Sequence, residues 1–248
     1  MNQIQVAPLT PVVKRLVIVM CAVWLVVQIF IDKIFHFNVS TWFILHPDQV
    51  IEKFWLWQVV TYMFFHALSP FHLFFNLMML WFMGSELEKH WGAKFFTLFF
   101  FVTGIGAAIL YCLSVAIYAA LTGAQGPLVI PVMGASGALF GLFVAYGIIF
   151  AERVVYILGV IPIKAKYLSM IIAGLELASL LSTGFAGGEV AHLAHLGGAL
   201  VGYLFLLFHA RWKQKQTKAR LKKKTSNLRL VVDNEKVKSG EDGPKYWN

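Results

Sequence analysis

Apolar residues along this chain come in long blocks, without the amphipathic spacing of a soluble helix or strand. A helix needs roughly 20 apolar residues to cross a bilayer core. Six blocks are candidates, and they run from Arg15 to Ile31, Val59 to Met83, Phe95 to Ala119, Val132 to Phe150, Tyr167 to Leu181 and Val190 to Phe208. The second could form one long helix or a re-entrant loop followed by a helix. The pattern predicts an all-α membrane protein with six transmembrane helices.

Basic residues between the blocks indicate the orientation in the membrane. With a cytoplasmic N-terminus and six crossings, Lys14, Lys89 and Arg153 fall inside with most other basic positions, whereas Lys33 and Lys53 fall outside. Lysine and arginine favour the cytoplasmic side of a membrane. Both chain ends are therefore predicted to be cytoplasmic.

The same pattern divides the chain into a cytoplasmic N-terminus (1–14), a six-span membrane domain (15–209) and a basic, disordered cytoplasmic tail (210–248). The first apolar block has no clear small-x-small cleavage site and is interpreted as an uncleaved signal-anchor helix. This layout, without a transit-peptide pattern, favours an integral protein of a prokaryotic inner membrane.

Composition agrees with a membrane location, since 59% of the 248 residues are hydrophobic and only 13% are charged. The formal net charge is +9, but residues 211–248 alone hold twelve Lys or Arg against four Asp or Glu. Nucleic-acid binding is therefore a poor interpretation. A basic juxtamembrane run binds anionic lipid at about 1 kcal/mol per basic residue, although a simple topology anchor is the favoured alternative.

Ser136 lies in the segment Gly134-Ala135-Ser136-Gly137, at the start of the fourth apolar block. Pro131 and Gly134 precede it, so a helix is expected to begin near the serine. Amide groups in the first helical turn lack helical partners and favour a developing oxyanion. The alternative is that these small residues only allow close helix packing.

His195 lies in the sixth block, with Gly198 and Gly202 on the same helix face. On the serine-bearing helix, Gly137 and Gly141 form a matching pair of small residues. Two such faces in contact would bring a serine Oγ within reach of an imidazole. The alternative is a histidine that only hydrogen-bonds neighbouring helices.

His72 and Asn76 stand four residues apart and so share one helix face, where two polar donors could polarise a carbonyl oxygen. Interhelical hydrogen bonding explains the pair equally well. A metal cluster of His192 with His66 and His72 is disfavoured, because no acid or cysteine accompanies them at ligand spacing. His192 is interpreted as a supporting residue, and no metal or cofactor is expected.

Glu176 is an intramembrane acid in the fifth block. Such residues are functional candidates by default. Its mid-span position predicts that it lies deeper than Ser136 and His195, with a structural role. No carboxylate is therefore expected to orient the imidazole, and the site is predicted to be a Ser–His dyad.

Together these residues resemble the rhomboid family of intramembrane serine proteases. The resemblance covers the six-span domain and rests on His72-x-x-x-Asn76, Gly134-Ala135-Ser136-Gly137 and Ala194-His195-x-x-Gly198-x-x-x-Gly202, with GSELEKHWG at positions 84–92. Trp57-Gln58 stands where the family often has Trp-Arg, which puts contacts of the 32–57 loop in doubt.

The resemblance implies a role for each residue. Ser136 would be the nucleophile and His195 the general base and acid, with His72, Asn76 and the Ser136 amide forming the oxyanion hole. Phe140 matches an aromatic position that packs on the catalytic imidazole. The aromatic-rich 32–57 loop would be the membrane-embedded loop of the family, and residues 183–189 a flexible cap.

The predicted function is therefore peptide-bond hydrolysis in or near the transmembrane segment of single- or multi-span membrane proteins. One rival is a non-catalytic, rhomboid-like binder of transmembrane helices, which would be expected to have lost Ser136 or His195. Another is a small transporter that uses Glu176 and the histidines, and the absence of internal repeats counts against it.

Overall fold

The computed structural model describes residues 8–157, 160–183 and 191–225. The chain separates into two units, Met1–Leu206 and Leu207–Asn248. The described part is mostly helical. Its α-helices are α1 (Pro11–Ala22), α2 (Pro47–Glu52), α3 (Gln58–Thr61), α4 (Pro70–Met79), α5 (Ser85–Trp91), α6 (Ala93–Thr122), α7 (Ser136–Ile149), α8 (Ala165–Thr183) and α9 (Ala191–Thr225).

Four helical segments of the described residues are long and apolar enough to cross a membrane: Pro11–Ile34, Ala93–Thr122, Ala165–Ser182 and Ala191–Lys222. The first is α1 continued by π-helical turns over Val23–Ile34. These correspond to the first, third, fifth and sixth predicted blocks. An integral membrane protein is therefore confirmed, while the count of six spans stays a prediction.

The second predicted block is not one continuous helix. It starts with α3 and a 3₁₀ turn (Tyr62–Phe64), and helical structure resumes only at Pro70. From there α4 runs through a π-helical turn (Leu80–Gly84) into α5. Proline at a helix start lacks the amide that would continue an earlier helix, so the chain is broken ahead of Pro70. The arrangement is closer to the re-entrant alternative.

Helix α6 is the central helix of the first unit. Half of its most apolar stretch is buried, against 11% in Pro11–Ile34 and 6% in α8. Phe96, Phe99, Phe100 and Tyr111 on α6 are completely buried. The outer helices expose large apolar side chains, and in a bilayer those surfaces face lipid chains at no hydrophobic cost.

The fourth predicted block forms a helix only from Ser136. Residues 130–135 are not helical, and Val132 forms an isolated antiparallel bridge with Leu45 of the 32–57 loop. Helix α7 has 14 residues, which is about 21 Å of rise. That is about 9 Å short of a bilayer core, so α7 cannot cross it alone.

The 32–57 loop is structured by helical turns and aromatic stacking. It contains a 3₁₀ turn (Val39–Trp42) and α2. Trp55 stacks on Trp42 with ring centroids 5.1 Å apart and on Trp57 at 5.3 Å. Gln58 is completely buried and holds this loop: its Oε1 accepts from the His46 amide (3.0 Å), and its Nε2 donates to the side-chain oxygen of Gln49 (2.8 Å). Glutamine therefore supplies loop contacts at the position that departs from the family pattern.

A small antiparallel hairpin, absent from the all-α prediction, joins α7 to α8. Strands β1 (Val154–Ile157) and β2 (Ile161–Lys164) pair from Val154 with Lys164 to Ile157 with Ile161. Four-residue strands carry too weak a pattern to separate them from a loop. At its base Glu152 pairs with Lys164 and Lys166, and these hydrogen bonds lower the pKa of Glu152 to about 2.

The second unit begins within α9, which continues as a helix to Thr225. The sequence predicted a disordered tail from residue 210, so the described residues 210–225 correct that prediction. Lysine, glutamine, arginine and leucine are good helix formers, and no glycine or proline interrupts this stretch. Residues 226–248 of the predicted tail lie outside the described residues, as does most of the predicted 183–189 cap.

Candidate active site

Ser136 is the first residue of α7. Gly134 has φ +123°, a conformation that glycine alone adopts readily, and its amide donates to the Tyr62 carbonyl (3.0 Å). No side chain caps α7. Its first helical bond runs from the Leu139 amide to Ala135, so amides ahead of Leu139 point toward the serine without a helical partner.

His195 on α9 lies directly against the serine. Its Nε2 is 2.7 Å from Ser136 Oγ, a hydrogen-bond distance. The imidazole stacks on the Phe140 ring, with centroids 4.4 Å apart and an interplanar angle of 12°. Phe140 is one turn after Ser136 on α7, so one helix carries both the serine and the surface that orients the histidine.

Glycines let α7 and α9 approach closely enough for this contact. A Cβ added at Gly198 would collide with the backbone of Gly137. One turn further along, a Cβ at Gly202 would lie 2.8 Å from Gly141 Cα. Both pairs are the ones expected from the sequence spacing. Because the obstacle is backbone, no rotamer change could relieve it.

His72 reaches the serine from α4. Its Nδ1 accepts a hydrogen bond from the Ala67 amide (3.1 Å), so a neutral His72 carries its proton on Nε2. A Cβ built on Gly134 would lie 3.1 Å from that Nε2 and 3.7 Å from Ser136 Oγ. The Nε2–H donor is thus beside the nucleophile, in the region where an oxyanion would form.

Asn76 is buried one turn after His72 on the same face. Its Nδ2 donates to the His72 carbonyl (2.8 Å), while its Oδ1 has no hydrogen-bond partner. An amide nitrogen has two N–H donors, so one remains for another acceptor. The structure therefore brings together Ser136, His195, Phe140 and His72 from three helices, with Asn76 one turn after His72 on the same helix.

The structure adds Glu176 to this cluster. Its Oε2 lies 3.0 Å from His195 Nδ1 and 2.6 Å from His192 Nδ1. The expectations that Glu176 is deeper than Ser136, and that no carboxylate contacts the imidazole, are both wrong. His192, interpreted as a support residue, shares the carboxylate oxygen with His195.

The helix register explains the error about depth. Ser169 on α8 donates its hydroxyl to the Phe143 carbonyl on α7 (2.9 Å). Helices α7 and α8 run antiparallel, Ser136 is seven residues before Phe143, and Glu176 is seven residues after Ser169. Seven residues are about two turns, so both side chains lie at the same height.

Glu176, His192 and His195 are also the described residues that bring three possible metal ligands within 4.8 Å of one another. The sequence set aside a metal cluster because no acid accompanied the histidines, and Glu176 supplies one beside His192. The imidazole–carboxylate contacts are at hydrogen-bond length and satisfy all three groups without an ion. A site without metal or cofactor remains a prediction.

A family model described as "Rhomboid domain" matches residues 53–212. The chain is 30% identical over 168 residues to "Rhomboid-like protein 19" of Arabidopsis thaliana, with 67% of this chain and 51% of that protein covered. It is 29% identical over 170 residues to "RHOMBOID-like protein 1" of Arabidopsis thaliana, covering 66% of this chain and 38% of the relative.

A third relative comes from yeast. "Rhomboid protein 1, mitochondrial" of Saccharomyces cerevisiae is 28% identical over 179 residues, covering 72% of this chain and 48% of that protein. The chain thus spans about half the length, or less, of the curated relatives that it matches. The family match includes all four helices that contribute to the cluster at Ser136.

Proposed function

Because the chain belongs to the rhomboid family, we propose that it is an intramembrane serine endopeptidase, which cleaves a peptide bond in or near a transmembrane segment of its substrate. The observation that carries this proposal is the 2.7 Å contact between Ser136 Oγ and His195 Nε2. A hydroxyl and a base at this distance are the minimum for an activated serine nucleophile. Neither side chain needs to move before the attack.

In the first step Ser136 Oγ attacks the carbonyl carbon of the scissile bond while His195 Nε2 takes its proton. The tetrahedral intermediate collapses to an acyl-enzyme as the histidine returns that proton to the leaving amine. Water then attacks the ester, with His195 again taking a proton. A second collapse releases the new carboxyl end and restores the serine.

The negative oxygen of the intermediate needs donors placed beside Ser136. We assign this role to the Nε2–H of His72, the second N–H of Asn76 and the first-turn amide of Ser136; the support is the Nδ1 contact that leaves the His72 proton on Nε2 and the single acceptor of Asn76 Nδ2. Removing one such donor costs about 10²- to 10³-fold in kcat. His72→Ala and Asn76→Ala should each show that loss with little change in KM, measured on a single-span substrate in proteoliposomes.

The substrates that fit this site are single- or multi-span membrane proteins. The serine begins a helix about 9 Å too short for the bilayer core, so a bond must be presented below the membrane surface. A regular helix uses its own carbonyls in hydrogen bonds. The substrate therefore has to unwind locally, and small or helix-breaking residues near the cleavage point would assist.

The proposed topology puts the recessed serine on the non-cytoplasmic side, with both chain ends in the cytoplasm. The support is the distribution of lysine and arginine between the apolar blocks. A prokaryotic inner membrane stays a prediction, and the relatives named above come from a plant and a yeast.

The alternative is a non-catalytic rhomboid-like protein that captures transmembrane helices. It would require no contact between Ser136 and His195, whereas the two side chains are at bonding distance and the imidazole is stacked on Phe140. These features favour the peptidase.

The test compares wild type with Ser136→Ala and His195→Ala on a model single-span substrate. Wild type should cleave and should be labelled on Ser136 by a serine-directed phosphonate. Both variants should lose cleavage to background, since removing either group of such a pair costs about 10⁶-fold. Ser182→Ala is the matched control, because that hydroxyl bonds within its own helix.

Cleavage that survives Ser136→Ala would contradict the proposal. A wild-type protein that binds the substrate but neither cleaves it nor takes up the label would favour the non-catalytic binder.

A further inference from the structure

Glu176 is the acid nearest to the proposed chemistry, and its surroundings are specific. One oxygen, Oε2, contacts His195 Nδ1 at 3.0 Å and His192 Nδ1 at 2.6 Å. The three side chains are 16 to 18% exposed. A carboxylate in a membrane helix is costly, and here its partners are the proposed base and that base's neighbour.

The tautomer of His195 depends on what lies at Nδ1. To take a proton from Ser136, Nε2 must be unprotonated, so the proton of the neutral ring must be on Nδ1. A proton on Nδ1 requires an acceptor, and the carboxylate oxygen of Glu176 is at the right distance. The opposite tautomer would direct an unprotonated nitrogen at a carboxylate, which has no proton to donate.

We propose that Glu176 is a positioning residue of the active site, which holds His195 with Nδ1 protonated and stabilises the imidazolium formed when Ser136 is deprotonated. This extends the dyad to Ser136–His195–Glu176 and rests on the proposed peptidase function. The carboxylate gains from the positive charge that develops on the ring during attack, so its contribution is larger in the transition state than in the resting enzyme.

His192 has a defined part in this arrangement. Its ring is nearly perpendicular to that of His195 (83°, centroids 6.3 Å apart), and its Nδ1 meets the same oxygen. Two N–H donors from one helix face fix that oxygen between them. The carboxylate is therefore held in place by a contact that is independent of the catalytic ring.

The register of α8 against α7 fixes the position of Glu176 beside His195. The Ser169 hydroxyl bond to the Phe143 carbonyl ties α8 to α7 two turns from Glu176. Ser136 is two turns from the same crossing on α7. One interhelical bond thus sets the relative height of nucleophile and carboxylate, while Phe140 sets the plane of the imidazole.

The experiment uses full-length protein in proteoliposomes with a single-span substrate. Glu176→Gln keeps the shape and removes the charge. Its kcat should fall at least about 10²-fold while KM stays within about threefold, because the lost interaction belongs to the transition state. The rate of phosphonate labelling of Ser136 should fall in parallel, since it depends on the same activated hydroxyl.

Leu175→Ala is the matched control for a second variant, Glu176→Ala. Leu175 is the adjacent residue on α8 and is 62% exposed, so its truncation perturbs the same helix without touching the imidazole. It should cleave as wild type, whereas Glu176→Ala should behave as Glu176→Gln. Substrate affinity of Glu176→Gln in a Ser136→Ala background, and its thermal midpoint, check that the variant is folded.

The outcomes separate the two proposals. If the wild-type protein neither cleaves the substrate nor is labelled, the proposed peptidase function is refuted. If the wild-type protein is active and a folded Glu176→Gln protein has the same kcat, only the positioning role of Glu176 is refuted. Loss of wild-type activity on treatment with a chelator, restored by Zn²⁺, would also overturn that role, because the three side chains would then be metal ligands.

Discussion

Substituting Gly198 by alanine should increase the distance between the nucleophile Ser136 and its base His195, although neither residue is itself changed. Gly198 is one turn after His195 on α9, and it faces Gly137, the residue after Ser136 on α7. The substitution adds a single methyl group at the point where the two helices are closest. It alters neither charge nor hydrogen-bonding groups, so its effect on the site comes through geometry.

The size of the effect follows from the contact. The new Cβ would lie 2.7 Å from the Gly137 carbonyl carbon and 3.1 Å from its Cα. Non-bonded carbons prefer about 3.5 to 4.0 Å, and the Gly137 carbonyl oxygen lies closer to the new Cβ than either carbon, so α9 must retreat by at least about 1 Å. The 2.7 Å between Ser136 Oγ and His195 Nε2 would become about 3.7 Å, which is beyond a hydrogen bond. Misplacement by about 1 Å costs about 10²-fold in rate.

The assay is cleavage of a single-span substrate in proteoliposomes, together with the rate of phosphonate labelling. Gly174→Ala on α8 is the matched control, because its Cβ meets nothing within 4 Å. In a helix that change stabilises by about 0.5–1 kcal/mol, so the control should be fully active and no less stable. If Gly198→Ala retained wild-type kcat at a wild-type thermal midpoint, the close-approach argument would be refuted.

Three further changes test other parts of the molecule. Phe140→Leu removes the ring stacked on His195. Such a contact is worth about 0.5–1.5 kcal/mol, so kcat/KM should fall by about 3- to 10-fold, whereas Phe140→Tyr should retain activity. Equal rates for both variants would contradict the stacking role. Gln58→Ala leaves the half-buried His46 amide without its partner and should lower the free energy of unfolding by about 1 kcal/mol, while an unchanged thermal midpoint in detergent would count against this contact. Hydrogen bonds from two lysines lower the pKa of Glu152 from 4.5 to about 2. The stabilisation of the hairpin by Glu152 is therefore present above pH 4.5 and is lost as the pH falls toward 2. Amide-exchange protection of β1 that does not decline over this range would disprove this role.

The features that were predictable from the sequence are those encoded within one helix. Gly198 and Gly202 repeat at helical spacing from His195, and Gly137 and Gly141 repeat next to Ser136, so each helix face can be read from its own residues. The pair His72 and Asn76 is of the same kind. Such periodicity identifies the faces that meet and the residues at their contact.

Features that depend on the relative height of two helices were not predictable in this way. Glu176 contacts His195 because α8 meets α7 at one register, and that register depends on Ser169 and the Phe143 carbonyl. A shift of one turn would move the carboxylate by about 5.4 Å, out of reach of the imidazole. Nothing in the local spacing around Glu176 reports this. The four-residue strands of the hairpin were missed because they are too short to show alternation.

The recess of Ser136 connects the fold to the chemistry. The apolar block from Val132 to Phe150 is long enough for a span, yet its first four residues are not helical, with Val132 bridged to Leu45 and Gly134 at φ +123°. The helix therefore begins four residues into this block, where its unpaired amides and the polar side chains of three other helices meet. Each polar group costs several kcal/mol in lipid if left unpaired. The serine hydroxyl, the two imidazoles and the carboxylate satisfy one another, so loss of one partner should weaken several contacts at once, and substitutions among these four should combine non-additively.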